Sequence, residues 1–227
     1  MPRRVGILGG MGPEATVLLM QRLLVAAHSA DDAGHIPLIV DQNPQVPSRI
    51  AHLIDGTGDD PGPVLAAMAL QLQTAGAMAI AMPCNTAHHY APAIRAAITV
   101  PFLDMVTAAV AHAASMASRH VGVLGSPALR KIGLFDAALA RHDLTAIYAA
   151  DEPAMLTAIR ALKAQGASGV TRSTLRAAST ALYDAGATVQ MIACTEFSLI
   201  ADAVDPRAQV FDTLDVLVSE IAAFSLT

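Results

Sequence analysis

Cysteine is scarce in this sequence, which excludes one class of protein. The 227 residues contain two cysteines, Cys84 and Cys194. Small secreted domains held by disulfides are much richer in cysteine, so we expect two free thiols in a reducing compartment. The apolar stretch at residues 5–8 ends at Gly9 and Gly10, which makes it too short for a signal peptide. We therefore predict a cytoplasmic protein.

Clustered positive charge and long apolar runs are also missing. The 14 Lys and Arg residues are spread along a chain with a formal net charge of −5. A nucleic-acid partner is not predicted, because no basic cluster is available to neutralise a phosphate backbone. The longest apolar region, residues 64–82, contains Gln71, Gln73 and Thr74. Their helical spacing indicates an amphipathic helix followed by a strand, so no membrane partner is predicted either.

Lysine is rare as well, since only Lys131 and Lys163 are present. A pyridoxal enzyme needs a lysine for its Schiff base, and neither lysine lies in a recognisable cofactor setting. A pyridoxal cofactor is therefore not indicated.

The residues that are present indicate an α/β fold. The chain is 54% hydrophobic, and runs of aliphatic residues alternate with alanine-rich helical stretches. This alternation predicts parallel sheets flanked by helices. The predicted strands are 4–8, 37–40, 78–82, 121–124, 145–148 and 190–193, and the predicted helices are 14–27, 63–75, 91–97, 153–165 and 173–185. Glycines at 76, 166 and 186 stand where helices should end.

The two halves of the sequence resemble each other. The segment 5–10, VGILGG, returns as VGVLGS at 121–126, and the apolar run before Cys84 returns before Cys194. Each cysteine is followed by a threonine within two residues, Thr86 and Thr195. We therefore predict two similar lobes related by a pseudo-two-fold, with the active site in the cleft between them. The predicted lobes are residues 1–106 with a returning C-terminal helix at 209–227, and residues 107–208.

Cys84 and Cys194 each follow a predicted strand and precede a predicted helix, 85–90 and 195–201. The positive end of a helix would lower the pKa of a thiol toward neutrality and make it a usable base. Burial as ordinary apolar cysteines is the alternative, although matched positions in a repeat favour function. A metal site would need more ligands than the neighbouring His88 and His89, so none is predicted.

Polar residues flank both thiols. Asn85, Thr86, Thr195 and Glu196 could cradle a carboxylate and the negative charge that develops when the adjacent carbon loses its proton. Ordinary helix capping by Asn and Thr is the alternative, and both roles can hold together.

A glycine-rich turn at residues 9–15 offers a competing function. Gly10, Gly12 and Ala15 match a relaxed dinucleotide fingerprint, although Asp41 lies farther from it than the usual about 20 residues. An NAD-binding oxidoreductase therefore stays an alternative. The turn can equally let backbone approach a small carboxylate, which makes Met11 a candidate substrate-binding residue.

Two cations are candidates for binding a substrate carboxylate. Arg49 follows a loop stiffened by Pro44 and Pro47, which suits bidentate contact with a carboxylate, and Lys163 lies late in a predicted helix. Each is by default a solvated surface charge.

Four motifs together resemble the aspartate/glutamate racemase family, and most closely its cofactor-independent aspartate racemases. They are GGMGPEAT at 9–16, NPQVPSR at 43–49, PCNTAH at 83–88 and CTE at 194–196, and they span nearly the whole chain. The resemblance implies two α/β lobes, a homodimer, and proton transfer at the α-carbon by two cysteines. It also implies that Arg49 and Lys163 hold the distal carboxylate of a dicarboxylic amino acid. By resemblance to glutamate racemases, Cys84 would act on the D-enantiomer and Cys194 on the L-enantiomer.

One stretch departs from the family pattern. Relatives carry a threonine-rich turn after the first strand of the second half, where this chain reads GSPAL at 125–129. Leu129 replaces an expected hydroxyl near the substrate, which leaves aspartate, glutamate and another carbon acid open. We predict a racemase that transfers a proton between Cys84 and Cys194, with a non-catalytic small-molecule binding protein as a further alternative.

Overall fold

The computed structural model describes residues 2–227. They form two compact units, one of residues 2–105 with Leu214–Thr227 and the other of Val106–Thr213. Each unit contains a four-stranded parallel sheet, and its strands follow the same order: second, first, third, fourth. The predicted α/β class, with two similar parallel sheets flanked by helices, is confirmed.

The first unit packs helices on both faces of its sheet. Its elements are β1 (Val5–Gly9), α1 (Pro13–Ala26), β2 (Leu38–Gln42), α2 (Gly62–Thr74), β3 (Ala79–Ala81), α3 (Ala91–Ala97) and β4 (Phe102–Leu103), with 3₁₀ turns at Asp32–Gly34 and Thr86–Tyr90 and a π-helical turn at Ala51–Asp55. Leu65 and Ile94 belong to the core on one face. On the other face, Leu19 of α1 packs with Leu217 of the C-terminal helix, Thr213–Leu226.

The second unit repeats this plan. Its elements are α4 (Met105–Ala114), which begins at the junction, β5 (His120–Leu124), α5 (Pro127–Lys131), α6 (Asp136–Ala140), β6 (Thr145–Tyr148), α7 (Glu152–Gln165), α8 (Gly169–Asp184), β7 (Val189–Ile192), a 3₁₀ segment (Phe197–Ala203) and β8 (Gln209–Asp212). Among the helices of residues 2–227, none has both the length and the apolar character needed to cross a bilayer.

The repeated glycines have the same packing reason in both units. A Cβ on Gly6 would lie 2.9 Å from the Cβ of Ala77, and one on Gly122 would lie 2.9 Å from the Cγ of Gln190. Side chains in or just before the third strand of each sheet occupy that space, so the first strand has no room for a side chain there. The repeat in the sequence therefore reflects a repeated strand-to-strand packing.

Most predicted elements are confirmed with small shifts at their ends, and two differences matter. Helix α8 begins at Gly169 rather than 173, because Ser168 and Thr171 form a capping box. The predicted lobe boundary at 208/209 is corrected to 213/214, because β8 pairs with β7 and so belongs to the second sheet.

Candidate active site

The two cysteines occupy equivalent positions in the two units. Cys84 follows β3 and Cys194 follows β7, and each of these strands pairs with the first strand of its own sheet. In each sheet the second strand lies on one side of the first strand, and the third strand lies on the other side. The strand order therefore reverses at this point, and open α/β sheets bind ligands at such a reversal. Both thiols are free, and each residue is only 7% exposed.

Arg49 joins the proline loop to the glycine turn. Its Nη2 donates to the carbonyl oxygen of Met11 at 3.2 Å, and its Nη1 donates to that of Pro47 at 3.1 Å. Its Nε is buried without a hydrogen-bond partner. The side chain of Met11 lies in one apolar cluster with Cys84 and Val46. The structure therefore brings Arg49, Met11 and Cys84 into one neighbourhood of the first unit.

The glycine turn is explained by packing within this unit. Gly10 has a φ of +91°, and a Cβ there would lie 2.4 Å from the carbonyl carbon of Asn43. The Gly10 amide also donates to the Oγ1 of Thr16 at 3.0 Å. The glycine spacing that resembles a dinucleotide fingerprint thus serves the close approach of the loop after β2.

His88 fixes the backbone of Cys84. Its Nε2 accepts a hydrogen bond from the amide of Met105 at 3.1 Å, so the ring proton lies on Nδ1, which donates to the carbonyl oxygen of Cys84 at 2.8 Å. Burial lowers the pKa of His88, although the nearby Asp104 opposes this. The imidazole is therefore neutral, and it connects the cysteine segment to the start of α4.

Tyr90 is a further candidate site residue, and it was not identified from the sequence. It is 7% exposed, belongs to the cluster of Cys84 and Met11, and its hydroxyl is buried without a partner. Burial, and secondarily the negative charge of Asp60, raises the pKa of Tyr90 to about 12, so the hydroxyl keeps its proton. Its position in the turn that follows Cys84 was the available signal, but its burial was not visible in the sequence.

In the second unit, three side chains form a chain of contacts. The Sγ of Cys194 donates to the Oε2 of Glu196 at 2.9 Å, and the Nζ of Lys163 lies 3.0 Å from the Oε1 of Glu196. The contact with Lys163 is an ion pair without the alignment of a hydrogen bond. Lys163 comes from α7, so the fold brings together residues that are distant in the sequence.

The expectation that a helix start lowers the pKa of both thiols is wrong for Cys194. Burial raises the pKa of Cys194 well above its ordinary value, the adjacent Glu196 raises it further, and Lys163 opposes both. The predicted helix at 195–201 is a 3₁₀ segment that begins only at Phe197, and the one predicted at 85–90 is a 3₁₀ turn from Thr86.

Comparison with known proteins gives the chain its relatives. A sequence profile of the Asp/Glu/Hydantoin racemase family matches residues 8–221. The chain belongs to this family. It is 32% identical over 115 residues to the broad specificity amino-acid racemase RacX of Bacillus subtilis (strain 168). That match covers 45% of this chain and 45% of RacX, so the chain matches less than half the length of this curated relative.

Solved structures of racemases have the same fold. An aspartate racemase from Picrophilus torridus superposes with a TM-score of 0.86 at 21% identity, over 97% of this chain and 93% of that one. A glutamate racemase from Francisella tularensis subsp. tularensis SCHU S4, in complex with D-glutamate, gives a TM-score of 0.66 at 15% identity, over 98% and 80%. At these identities the likeness supports the fold of a racemase-family member rather than one substrate.

The site residues predicted from the sequence fall into two groups by unit. Cys84, Arg49 and Met11 lie together in the first unit with the buried Asn85, while the partly exposed Thr86 opens the 3₁₀ turn. Cys194, Glu196 and Lys163 are linked in the second unit, where Thr195 is also buried. Within residues 2–227, no group of three His, Cys, Asp or Glu side chains is arranged to hold a metal ion.

Leu129, which stands where the family resemblance leads us to expect a hydroxyl, is a core residue. It is fully buried, and a Cβ on Gly125 would lie 2.5 Å from its Cδ1 and 3.1 Å from the carbonyl oxygen of Ala193. Ser126 caps α5 by accepting a hydrogen bond from the amide of Ala128 at 3.3 Å. The turn at residues 125–129 is therefore packed against the backbone just before Cys194.

Proposed function

We propose that this racemase-family protein interconverts L- and D-aspartate without a cofactor, by proton transfer between the Cα atom of the substrate and the thiols of Cys84 and Cys194. The observation that carries the proposal is the pair of free, buried cysteines that follow equivalent strands in two units of identical strand order. Family membership and the fold of the Picrophilus torridus aspartate racemase support it. Such a protein would work in a reducing compartment, where both thiols stay free.

The chemistry follows from the acidity that each group must have. One cysteine, as the thiolate, takes the α-proton, and the electron pair left on Cα spreads into the α-carboxylate. The other cysteine, as the thiol, gives its proton to the opposite face of Cα, and the configuration is inverted. Asn85 and Thr195, each 2% exposed, and the neighbouring Thr86 supply polar groups that stabilise the negative charge that develops.

Arg49 is the group best placed to bind the distal carboxylate. Its guanidinium is held by three backbone carbonyls, and it keeps a buried Nε without a partner. A buried donor without a partner costs about 1–3 kcal/mol, which a carboxylate ligand would recover. The ammonium of Lys163 already pairs with Glu196, so it can contribute to carboxylate binding only while it keeps this ion pair. The carboxylate of Glu196 suits the α-ammonium of the substrate.

The test follows the α-proton directly. L-Aspartate and L-glutamate are incubated separately with the protein in deuterated water, without added cofactor, and followed by proton NMR and chiral chromatography. Loss of the α-proton signal together with formation of D-aspartate is expected. If neither amino acid exchanges its α-proton, the proposal is wrong. Faster conversion of glutamate would keep the mechanism and change the substrate.

Serine variants of the two cysteines test the two-base mechanism. Cys84→Ser and Cys194→Ser should each abolish racemisation, and each should retain solvent exchange of the α-proton from one enantiomer only. By the family resemblance, Cys84→Ser should exchange L-aspartate and Cys194→Ser should exchange D-aspartate. Exchange is the right measurement because enantiomers have equal free energies, which forces kcat/KM to be equal in both directions. Full racemisation by either variant would contradict the mechanism.

Two alternative functions can be tested on the same samples. An NAD-binding oxidoreductase would show a higher melting temperature with NAD, because a ligand that binds only the folded state stabilises it. A non-catalytic binding protein would bind aspartate without exchanging its α-proton, and would keep its affinity in both serine variants.

A further inference from the structure

Cys194 and Glu196 share a proton, and the charges around them determine which of the two carries it. The Sγ atom lies 2.9 Å from Oε2, and two negatively charged atoms would repel each other strongly at that separation. The residues are 7% and 8% exposed, so little water is available to screen the repulsion. One proton must therefore lie between the sulfur and the carboxylate in the resting protein.

Lys163 decides which of the two atoms carries that proton. Its ammonium lies 3.0 Å from Oε1, the other oxygen of the same carboxylate. An adjacent positive charge favours the ionised form of a carboxyl group. The proton therefore lies on the sulfur, and Glu196 accepts the hydrogen bond as a carboxylate.

Cys84 lacks this arrangement although its exposure is the same. Asn85 and Thr86, which follow it, are neutral, and the neutral His88 holds its carbonyl oxygen rather than its sulfur. Both cysteines are 7% exposed, so burial of the whole residue does not distinguish them. The carboxylate two positions after Cys194 has no counterpart two positions after Cys84, where Thr86 stands.

We propose that Glu196, held by Lys163, keeps the proton on the Cys194 sulfur at rest, so that Cys194 begins the reaction as the proton donor and Cys84 as the base. This assignment rests on the proposed function. By the family assignment of Cys84 to the D-enantiomer, this resting state acts first on D-aspartate: the Cys84 thiolate takes the α-proton and the Cys194 thiol gives its proton to the opposite face of Cα. Conversion of L-aspartate needs the opposite protonation state, in which Cys194 has lost its proton. After turnover of D-aspartate, the resulting Cys194 thiolate is repelled by the carboxylate of Glu196, and the positive charge of Lys163 offsets part of this repulsion. The resting state returns when Cys194 takes a proton from solvent and Cys84 releases its proton to solvent.

Alkylation by iodoacetamide measures this protonation state without substrate. A thiolate attacks the methylene carbon of the reagent, a carbon–sulfur bond forms and iodide leaves, whereas the protonated thiol does not react. The full chain is alkylated over a pH series, and the rate at each cysteine is followed by peptide mass spectrometry. The rate at Cys194 should rise at a higher pH than the rate at Cys84.

Two variants should move the Cys194 midpoint in opposite directions. Glu196→Gln preserves the shape and removes the negative charge, so the midpoint should fall by about one pH unit or more, which means roughly tenfold faster alkylation below it. Lys163→Met removes the opposing positive charge, so the midpoint should rise. The midpoint of Cys84 serves as the internal control and should stay within about 0.3 units in both variants.

The results separate a charge effect from loosened packing. A variant that merely opens the structure would speed alkylation of both cysteines and leave the midpoints unchanged, which would overturn the proposal. A wild-type Cys194 midpoint at or below that of Glu196→Gln, or a downward shift in Lys163→Met, would overturn it as well. Because alkylation needs no turnover, racemisation with unshifted midpoints would refute only this inference, and shifted midpoints without racemisation would refute only the proposed function.

Discussion

Replacing His88 by leucine should destabilise the first unit strongly at neutral pH. Leucine has a similar size but makes neither hydrogen bond, so the amide of Met105 and the carbonyl of Cys84 lose their partner. Both groups belong to buried residues, at 0% and 7% exposure. Each unpaired buried group costs about 1–3 kcal/mol, so the free energy of unfolding should fall by about 2–6 kcal/mol.

The loss should shrink in acid, because the folded protein holds His88 neutral. Burial lowers the pKa of His88 in the folded state below 6.5, so between that pKa and about 6.5 the unfolded chain binds a proton that the folded chain does not. The stability that depends on neutral His88 is complete above about 6.5 and is lost as the pH falls, by up to about 1.4 kcal/mol per pH unit. His88→Leu cannot show this loss, so the two proteins should converge in acid.

Urea unfolding followed by far-ultraviolet circular dichroism measures both effects, since the chain has no tryptophan to report by fluorescence. His28→Gln, at an exposed position, is the control and should unfold like the wild type at each pH. A destabilisation by His88→Leu of less than about 1 kcal/mol at pH 7.5, or one that stays constant down to pH 5, would refute the assignment of a buried, neutral His88 with two backbone partners.

Three further predictions concern single residues. Tyr90→Phe removes a hydroxyl without a partner, so the melting temperature should not fall. If that hydroxyl binds substrate, the KM for aspartate should rise roughly tenfold. A lower melting temperature with unchanged KM would contradict this prediction. Gly10→Ala should lower the unfolding free energy measured in urea by more than Gly56→Ala. Gly56 has a φ of +69° with no atom within 4 Å of its Cβ position, so alanine there should cost only the about 1–2 kcal/mol of a left-handed residue. Four apolar side chains of α1 are exposed, Val17, Met20, Leu24 and Val25, and we propose this face as the interface of a homodimer. Val25→Asp should then give a monomer in light scattering, and an unchanged mass would exclude that face.

The candidate site residues were predictable to different degrees. Cys84 and Cys194 could be found because each ends an apolar strand, and the same strand and turn recur in both halves of the sequence. Arg49 could be proposed from its loop, but its contact with Met11 joins residues 38 positions apart and leaves no local pattern. Tyr90 was missed because the sequence does not show whether its hydroxyl finds a partner.

The strands and helices of the fold were also predictable to different degrees. Long central strands and helices were predicted with end shifts of a few residues, because periodicity and capping residues are local signals. The edge strands β4 and β8 were missed: β4 has two residues, and β8 mixes polar and apolar side chains. Pairing with a neighbouring strand, rather than composition, makes these segments strands.

The sequence by itself determined the α/β class, the repeat and the positions of the two thiols, since each depends on residues close together in the chain. Only the tertiary structure decided how those thiols behave. Helix starts were expected to acidify both, but at Cys194 burial and the carboxylate of Glu196 raise the pKa of the thiol, and Lys163 reaches that carboxylate from another helix. Desolvation and charge contacts depend on which segments meet in space, and that is why the proton between Cys194 and Glu196 could be assigned only from the folded structure.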